Sequence, residues 1–402
     1  TDSGRSAVMA AAAPTASAES AAKVEAREDI SSASTIAVAV LKKHKTGVAV
    51  TLAVVVVILA GFGYGMYKLL SKGTAESGTG AASRMKITRL TSTGKSRKAV
   101  ISPDGKYVVH VVEDAGKQSL WVKQVATDSN VQILPPADGT FVGLAFSRDG
   151  NYVYYVWAVR GIAMANLFQL PVLGGEPRKL IANVDSPVAT SADGKHFTFI
   201  RNTASTGQSE LMTANVDGSG EQAIASRKLP DGYDGTPAWS PDGKSIAVAV
   251  DKWAGGVHAD IVVVPAGGGK ETAVGNTRWL GVGQLAWVAD GSALLMDGAD
   301  QDSLFAGQLY EVSYPDGKVR RLTNDLNNYG GVSLTENGSA LVTVQSDTPS
   351  SVWVAPEGKV EGARQISTGV GSYDGNYGSD WMPDGKLIFT SYAAGQLHLW
   401  TM

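Results

Sequence analysis

The sequence contains no cysteine, which excludes a disulfide framework; a domain of this size has a sizeable core and needs no such staples. Histidine is sparse: His44, His110, His196, His258 and His398 are scattered, and no His/Asp/Glu spacing resembles a metal site. With a net charge of −3 and no Lys/Arg cluster in residues 85–402, the chain offers no nucleic-acid surface. A Gly-x-Ser-x-Gly nucleophile elbow is missing too, so no hydrolase domain of that type is present. Gly267-Gly268-Gly269-Lys270-Glu271-Thr272 has the look of a phosphate loop, but the required first glycine falls at Val264. No catalytic residue, cofactor site or metal site is expected in this chain.

What the chain does have is a phrase that returns seven times. It consists of a small, aromatic or apolar residue, a few polar residues, Asp-Gly or Asn-Gly, and then a run of β-formers. The instances end at Gly105, Gly150, Gly194, Gly243, Gly291, Gly338 and Gly385, at spacings of 45, 44, 49, 48, 47 and 47 residues. A period of this length between strand-like segments marks a β-propeller with one four-stranded blade per repeat. Each Asp-Gly closes a hairpin, the Asp bonding back to the backbone and the Gly taking the left-handed conformation. The repeated aspartates are therefore structural, and Gly267–Gly269 falls in the turn between third and fourth strands. The fold class expected is all-β, with seven blades.

Seven first, second and third strands can be counted, but only six outer strands after them. Lys86-Ile87-Thr88-Arg89-Leu90-Thr91 resembles the outer strand Val319–Thr323, so it is expected to pair with Gln396–Trp400 and close the ring. The chain stops at Met402 directly after a third strand and starts at Thr1 rather than at an initiator Met. Continuation at both ends, and a further blade, are therefore kept open.

The first 84 residues differ in kind. Gly47–Tyr67 carries no charge over 21 residues, enough to cross a hydrocarbon core of ~30 Å as one helix. Lys42, Lys43 and Lys45 precede it, and Tyr64, Tyr67, Lys68 and Lys72 mark its far end. A signal peptide would begin much nearer the N-terminus. The domain plan is a flexible juxtamembrane segment at 1–45, a transmembrane helix at 46–67, a linker at 68–84 and a propeller at 85–402. The lysine bias places residues 1–45 in the cytoplasm and the propeller outside the inner membrane. Gly61 and Gly65, one turn apart, form a candidate face for a helix dimer.

Loops leading into first strands carry Tyr233 and Asp234, Tyr329, and Tyr373, Asp374 and Tyr377. These loops are expected on one rim, where aromatic and acidic side chains suit a periplasmic protein, peptide or glycan ligand. They are also ordinary long turns, so both readings stand.

The Ser-Pro-Asp-Gly-Lys phrases, followed by strands such as Leu387-Ile388-Phe389-Thr390-Ser391, resemble TolB-like, WD-like Pro-Asp repeats across residues 85–402. The order of parts is similar to the C-terminal half of bacterial membrane-anchored serine/threonine protein kinases. That order is a small-residue segment, Lys42-Lys43-His44-Lys45, one span, a short tether and Arg89-Leu90-Thr91 entering the repeats. Thr1-Asp2-Ser3-Gly4-Arg5 is similar to the linker after their catalytic domain. The chain departs from the complete family in having no glycine-rich nucleotide loop, no His-Arg-Asp and no Asp-Phe-Gly, so no catalytic residue carries over. The resemblance implies a sensor or scaffold attached to a kinase. A TolB-like envelope-assembly module without a kinase is the alternative, and the gating propeller of a serine peptidase is a third.

Overall fold

The computed structural model describes residues 87–162, 164–300, 307–325, 327–347, 350–367, 373–391 and 397–402. The apolar run Gly47–Tyr67, with Gly61 and Gly65, lies outside them. Among the described residues no helix is long and apolar enough to cross a membrane. The regular structure there is β, apart from two short 3-10 turns at Pro356–Gly358 and Val360–Gly362.

Each repeat begins an antiparallel sheet. The first holds β1 (Ser96–Ile101), β2 (Tyr107–Asp114), β3 (Lys117–Gln124) and β4 (Asn130–Ala137). The second holds β5 (Gly139–Phe146), β6 (Tyr152–Val159), β7 (Ala165–Pro171) and β8 (Arg178–Ala182), and the third β9 (Ala189–Thr190), β10 (His196–Thr203), β11 (Gln208–Asn215) and β12 (Gln222–Lys228). In the fourth are β13 (Gly232–Trp239), β14 (Ser245–Lys252), β15 (His258–Pro265) and β16 (Thr272–Ala273). The fifth comprises β17 (Gly281–Trp287), β18 (Ala293–Ala299), β19 (Gln308–Ser313) and β20 (Val319–Arg321). The sixth repeat forms two pairs, β21 (Asn328–Leu334) with β22 (Leu341–Ser346), and β23 (Trp353–Val354) with β24 (Arg364–Gln365). The seventh has three strands, β25 (Ser379–Trp381), β26 (Leu387–Ser391) and β27 (His398–Thr401).

The hairpin phrase works through its polar residues. In the first repeat the Ser102 hydroxyl donates to Asp104 Oδ1 at 2.7 Å and accepts from the Tyr107 N–H at 3.0 Å. The Lys106 ammonium and the Ser102 hydroxyl hold the Asp104 carboxyl down to about 2. The same Ser–Asp bond recurs at Ser147–Asp149, Ser191–Asp193 and Ser240–Asp242, and Thr335 with Asn337 imitates it. The aspartates are turn residues, as their period implies.

In the first four sheets the second strands are buried on both faces, so neighbouring sheets share their cores. Val109, Leu120, Phe141 and Leu144 join the first sheet to the second, and Ile200, Leu211, Val248 and Val262 the third to the fourth. At roughly 1.5–3 kcal/mol for each fully buried aliphatic side chain, these seams are the main source of stability. A second device recurs at the outer edge. A Cβ at Gly218 would lie 2.5 Å from the Leu180 carbonyl oxygen, one at Gly268 3.0 Å from that of Ile224, and one at Gly317 2.2 Å from Gly275 Cα. The glycine-rich turn before an outer strand thus presses on the preceding sheet's outer edge, where no side chain fits.

The ring closes after six sheets, which corrects the expectation of seven. Ile101 and Val108 share a core with Val342 of β22, the Ile101 N–H donates to Ser333 Oγ at 3.0 Å, and the Glu336 N–H donates to the Pro103 carbonyl at 3.0 Å. These contacts occupy the flank of the first sheet that a seventh blade would need. The seventh sheet packs instead through Leu387 and Phe389 onto Val352 and Ile366 of the sixth repeat. Its β25 and β27 are exposed along their length, and nothing lies within 4 Å of a Cβ at Gly385, the glycine of its hairpin.

The expected closing strand is also corrected. Ile87–Thr91 forms no strand, and among the described residues β27 pairs only with β26. Leu90 packs on Ile101, Val108 and Val342, filling the seam between first and sixth sheets with a side chain rather than a ladder. Lys86 and Gln396 lie outside the described residues.

Candidate functional site

The hole of the ring is set by one position of the repeat. Seven residues before the hairpin glycine stand Lys98, Gly143, Pro187, Thr236, Gln284 and Gly331, and all six line a central cavity of about 300 Å³. The equivalent residue of the seventh repeat, Gly378, does not. At or beside this position β1, β5, β13, β17 and β21 each break register with their second strand. Such bulges bend the strand and re-aim its groups. Thr236 pairs in parallel with Gln284 across the fourth and fifth sheets.

Three charged residues line the cavity: Arg97 and Lys98 on β1, Arg97 lying 3.5 Å from the Glu113 carboxylate, and Asp297 two sheets away. Asp297, on β18, reaches over Gly283, where a Cβ would lie 2.2 Å from its Oδ2. The Gln284 N–H donates to its Oδ1 at 2.7 Å, and the Gly331 N–H also bonds the carboxylate, tying the fifth sheet to the sixth. Burial pushes the Asp297 carboxyl up; the backbone donors and Lys98 oppose that rise. Lys98 is reached by solvent, yet the surrounding walls displace enough water to push its ammonium down, with Asp297 opposing. Among the described residues Lys98 makes no hydrogen bond or ion pair. The lining presents charge of both signs to whatever enters, and among the described residues no nucleophile and base are paired there. Among the described residues no three His, Asp or Glu side chains converge to hold a metal ion.

The residues expected on one rim do not gather there. Tyr233 lies within β13 rather than in a loop and is 4% exposed. Its hydroxyl donates to Glu271, which also pairs with Arg227, and the Arg227 guanidinium sits 5.7 Å over its ring. Burial first, and then Glu271, push its phenol up. Tyr329, within β21, is also 4% exposed; its hydroxyl donates to Asp325 at 2.6 Å, and burial with Asp325 pushes it up to about 12. Both are corrected from candidate ligand contacts to core residues, because each ring packs inward and each hydroxyl is satisfied. Asp234 is exposed in β13. Tyr373, Asp374 and Tyr377 fall in the turn before β25, away from the ring cavity; Asp374 is buried and Tyr377 exposed.

The cavity residues had a sequence signal. Six residues after the hairpin glycine the repeats carry Val111, Val156, Ile200, Ala249 and Val344, but the fifth carries Asp297. A carboxylate in an otherwise apolar inner strand is conspicuous once the repeats are aligned.

With this geometry in view, the fold has clear counterparts. A protein from Agrobacterium tumefaciens described as a candidate TolB matches with a TM-score of 0.52 at 20% identity, over 65% of this chain and 95% of its own. The TolB of Acinetobacter baumannii gives a TM-score of 0.41 at 16% identity, covering 74% of this chain and 77% of its own. For the β-propeller domain of the Pyrococcus furiosus Trilobed protease the values are 0.43 and 13%, with 76% and 94% covered. No family model and no curated protein matches the chain. The chain has a TolB-like β-propeller fold. At these identities the likeness is one of fold.

Proposed function

We propose that the ring is a non-catalytic protein-binding module that takes a partner at its central cavity. The observation that supports this most is the charge there: Asp297 held by backbone donors, and Lys98 without an ion-pair partner among the described residues. In this reading the propeller is extracytoplasmic, anchored in the inner membrane by the 46–67 helix and dimerised through Gly61 and Gly65. It serves as sensor or scaffold for a serine/threonine kinase domain encoded upstream, with a periplasmic protein, peptide or glycan as ligand. An envelope-assembly module without a kinase is the second reading, favoured by the likeness of fold to the Agrobacterium protein.

The test places a photo-cross-linking residue at Gln284, in the cavity, and another at Thr127, an exposed β3–β4 turn position, in cells making the full chain. A cross-linked partner at Gln284 that is lost on Lys98→Glu, with none at Thr127, supports the module. Equal products at both positions overturn it. The upstream reading frame separates the two versions, since only the first requires kinase motifs there.

A further inference from the structure

A second recess, of about 320 Å³, lies at the end of the β14–β15 hairpin, where Lys252, His258 and Asp260 face Asn276, Thr277 and Arg278. Its two walls are fixed separately. On the hairpin side Lys252 stands opposite His258, and the Lys252 ammonium pairs with the Asp260 carboxylate. His258 is buried; its Nδ1 lies 2.7 Å from the Gly256 carbonyl oxygen, an acceptor only, so Nδ1 carries a proton. Its Nε2 faces Asp260 Oδ1 at 3.7 Å.

The other wall is the segment between β16 and β17. At one end Trp279, 1% exposed, exchanges backbone hydrogen bonds with Ala259 at 2.8 and 2.9 Å and meets the Tyr310 ring edge-on at 4.9 Å. Toward the other end Gly275 presses on Gly317. Three consecutive polar side chains are therefore presented by backbone clamped on both sides. Among the described residues, the side chains of Asn276, Thr277 and Arg278 make no hydrogen bond or ion pair. Asn276 and Arg278 are exposed and Thr277 half-buried, so all three are open to a ligand from solvent.

Charge decides what they fit. Asp260 answers Lys252, which leaves the Arg278 guanidinium as the uncompensated cation of the recess. A guanidinium fork matches the two oxygens of a carboxylate or phosphate, and a neighbouring amide and hydroxyl add neutral donors. We propose that this recess binds the oxyanion group, carboxylate or phosphate, of a small polar ligand. Arg278 is its main partner, and Asn276 and Thr277 donate beside it, while Lys252 stays paired with Asp260. The volume is at the small end of ligand sites, roughly 300–1,000 Å³. Nothing in this site depends on the ring cavity.

Titration calorimetry of the full chain with sodium phosphate, and separately with sodium acetate, tests it. Saturable binding of at least one anion is expected, and the preferred anion identifies the group. Arg278→Ala weakens binding at least about tenfold, a loss of about 1.4 kcal/mol, and Arg278→Lys falls between. Asp260→Asn strengthens binding by freeing Lys252; if that variant proves unfolded by circular dichroism, the two Arg278 variants decide alone. Absence of saturable binding of either anion to folded protein, or binding indifferent to Arg278→Ala, overturns the proposal.

Discussion

Arg148 Nη2 lies 2.7 Å from Glu336 Oε1, although 188 residues separate them and they sit in the hairpin turns of the second and sixth repeats. Only the first sheet stands between those turns. The pair is largely exposed, so it reports the closure of the ring more than it enforces it.

A chain without cysteine makes that closure easy to test. Cysteines placed at Arg148 and Glu336 should be joined within one chain by a short bis-maleimide, as read by peptide mass spectrometry. A seventh blade between the sixth and first would hold the two apart, and only intermolecular products would form. Arg148→Ala should cost no more than about 1 kcal/mol. Ile101→Ala, in the core of the same seam, should cost about 2–5 kcal/mol.

The approach of Gly317 to Gly275 predicts unequal effects of one substitution. Gly317 has φ +68° and Gly243 φ +69°, but a Cβ at Gly243 meets nothing within 4 Å. Gly243→Ala should lose only the left-handed backbone term, about 1–2 kcal/mol. Gly317→Ala should lose a further 1–3 kcal/mol or so from overpacking. Urea unfolding of the two variants gives the comparison, and equal midpoints would show that the outer edges can part freely.

Asp297 predicts a pH dependence of known sign. Its folded carboxyl is raised above the ordinary 3.8, chiefly by burial. The protonated form is thus favoured by folding; its stabilisation is present below 3.8 and is lost as pH rises through the elevated folded value. Asp297→Asn keeps an acceptor for the Gln284 N–H without the charge. Relative to that variant, wild type should lose stability as pH rises above the ordinary 3.8 and level off once pH has passed the raised folded value, as followed by urea midpoints. A difference independent of pH would show that the carboxylate is fully solvated in the cavity.

Tyr233→Phe and Tyr329→Phe should each destabilise the fold, by about 1–3 kcal/mol, because Glu271 and Asp325 lose a donor in partly buried surroundings. Thermal unfolding measures this. Cross-linking of a partner at Gln284 should be unaffected in the folded fraction, which separates a structural role from recognition.

The sequence by itself determined the elements. The spacing of the Asp-Gly turns, the apolar second strands and the glycine-rich outer turns are local or periodic, so one chain read in register shows them. It also held the cavity in latent form, because the position seven residues before the hairpin glycine lines the hole in six of the seven repeats, and among those six Asp297 breaks an apolar column.

Tertiary structure alone decided which sheets belong to the ring. Seven repeats make seven hairpins, but the number of blades that close depends on how each sheet packs against the next. Val342 against Ile101, and the Glu336 N–H on Pro103, settle that between segments more than 200 residues apart in sequence. The same holds for Tyr233 and Tyr329. An aromatic residue near a strand start reads alike whether it turns outward to a ligand or inward to a carboxylate. For Tyr233 that carboxylate, Glu271, comes from 38 residues away, whereas Asp325 stands only four residues before Tyr329 and the inward turn of its aromatic ring is what the tertiary packing decided.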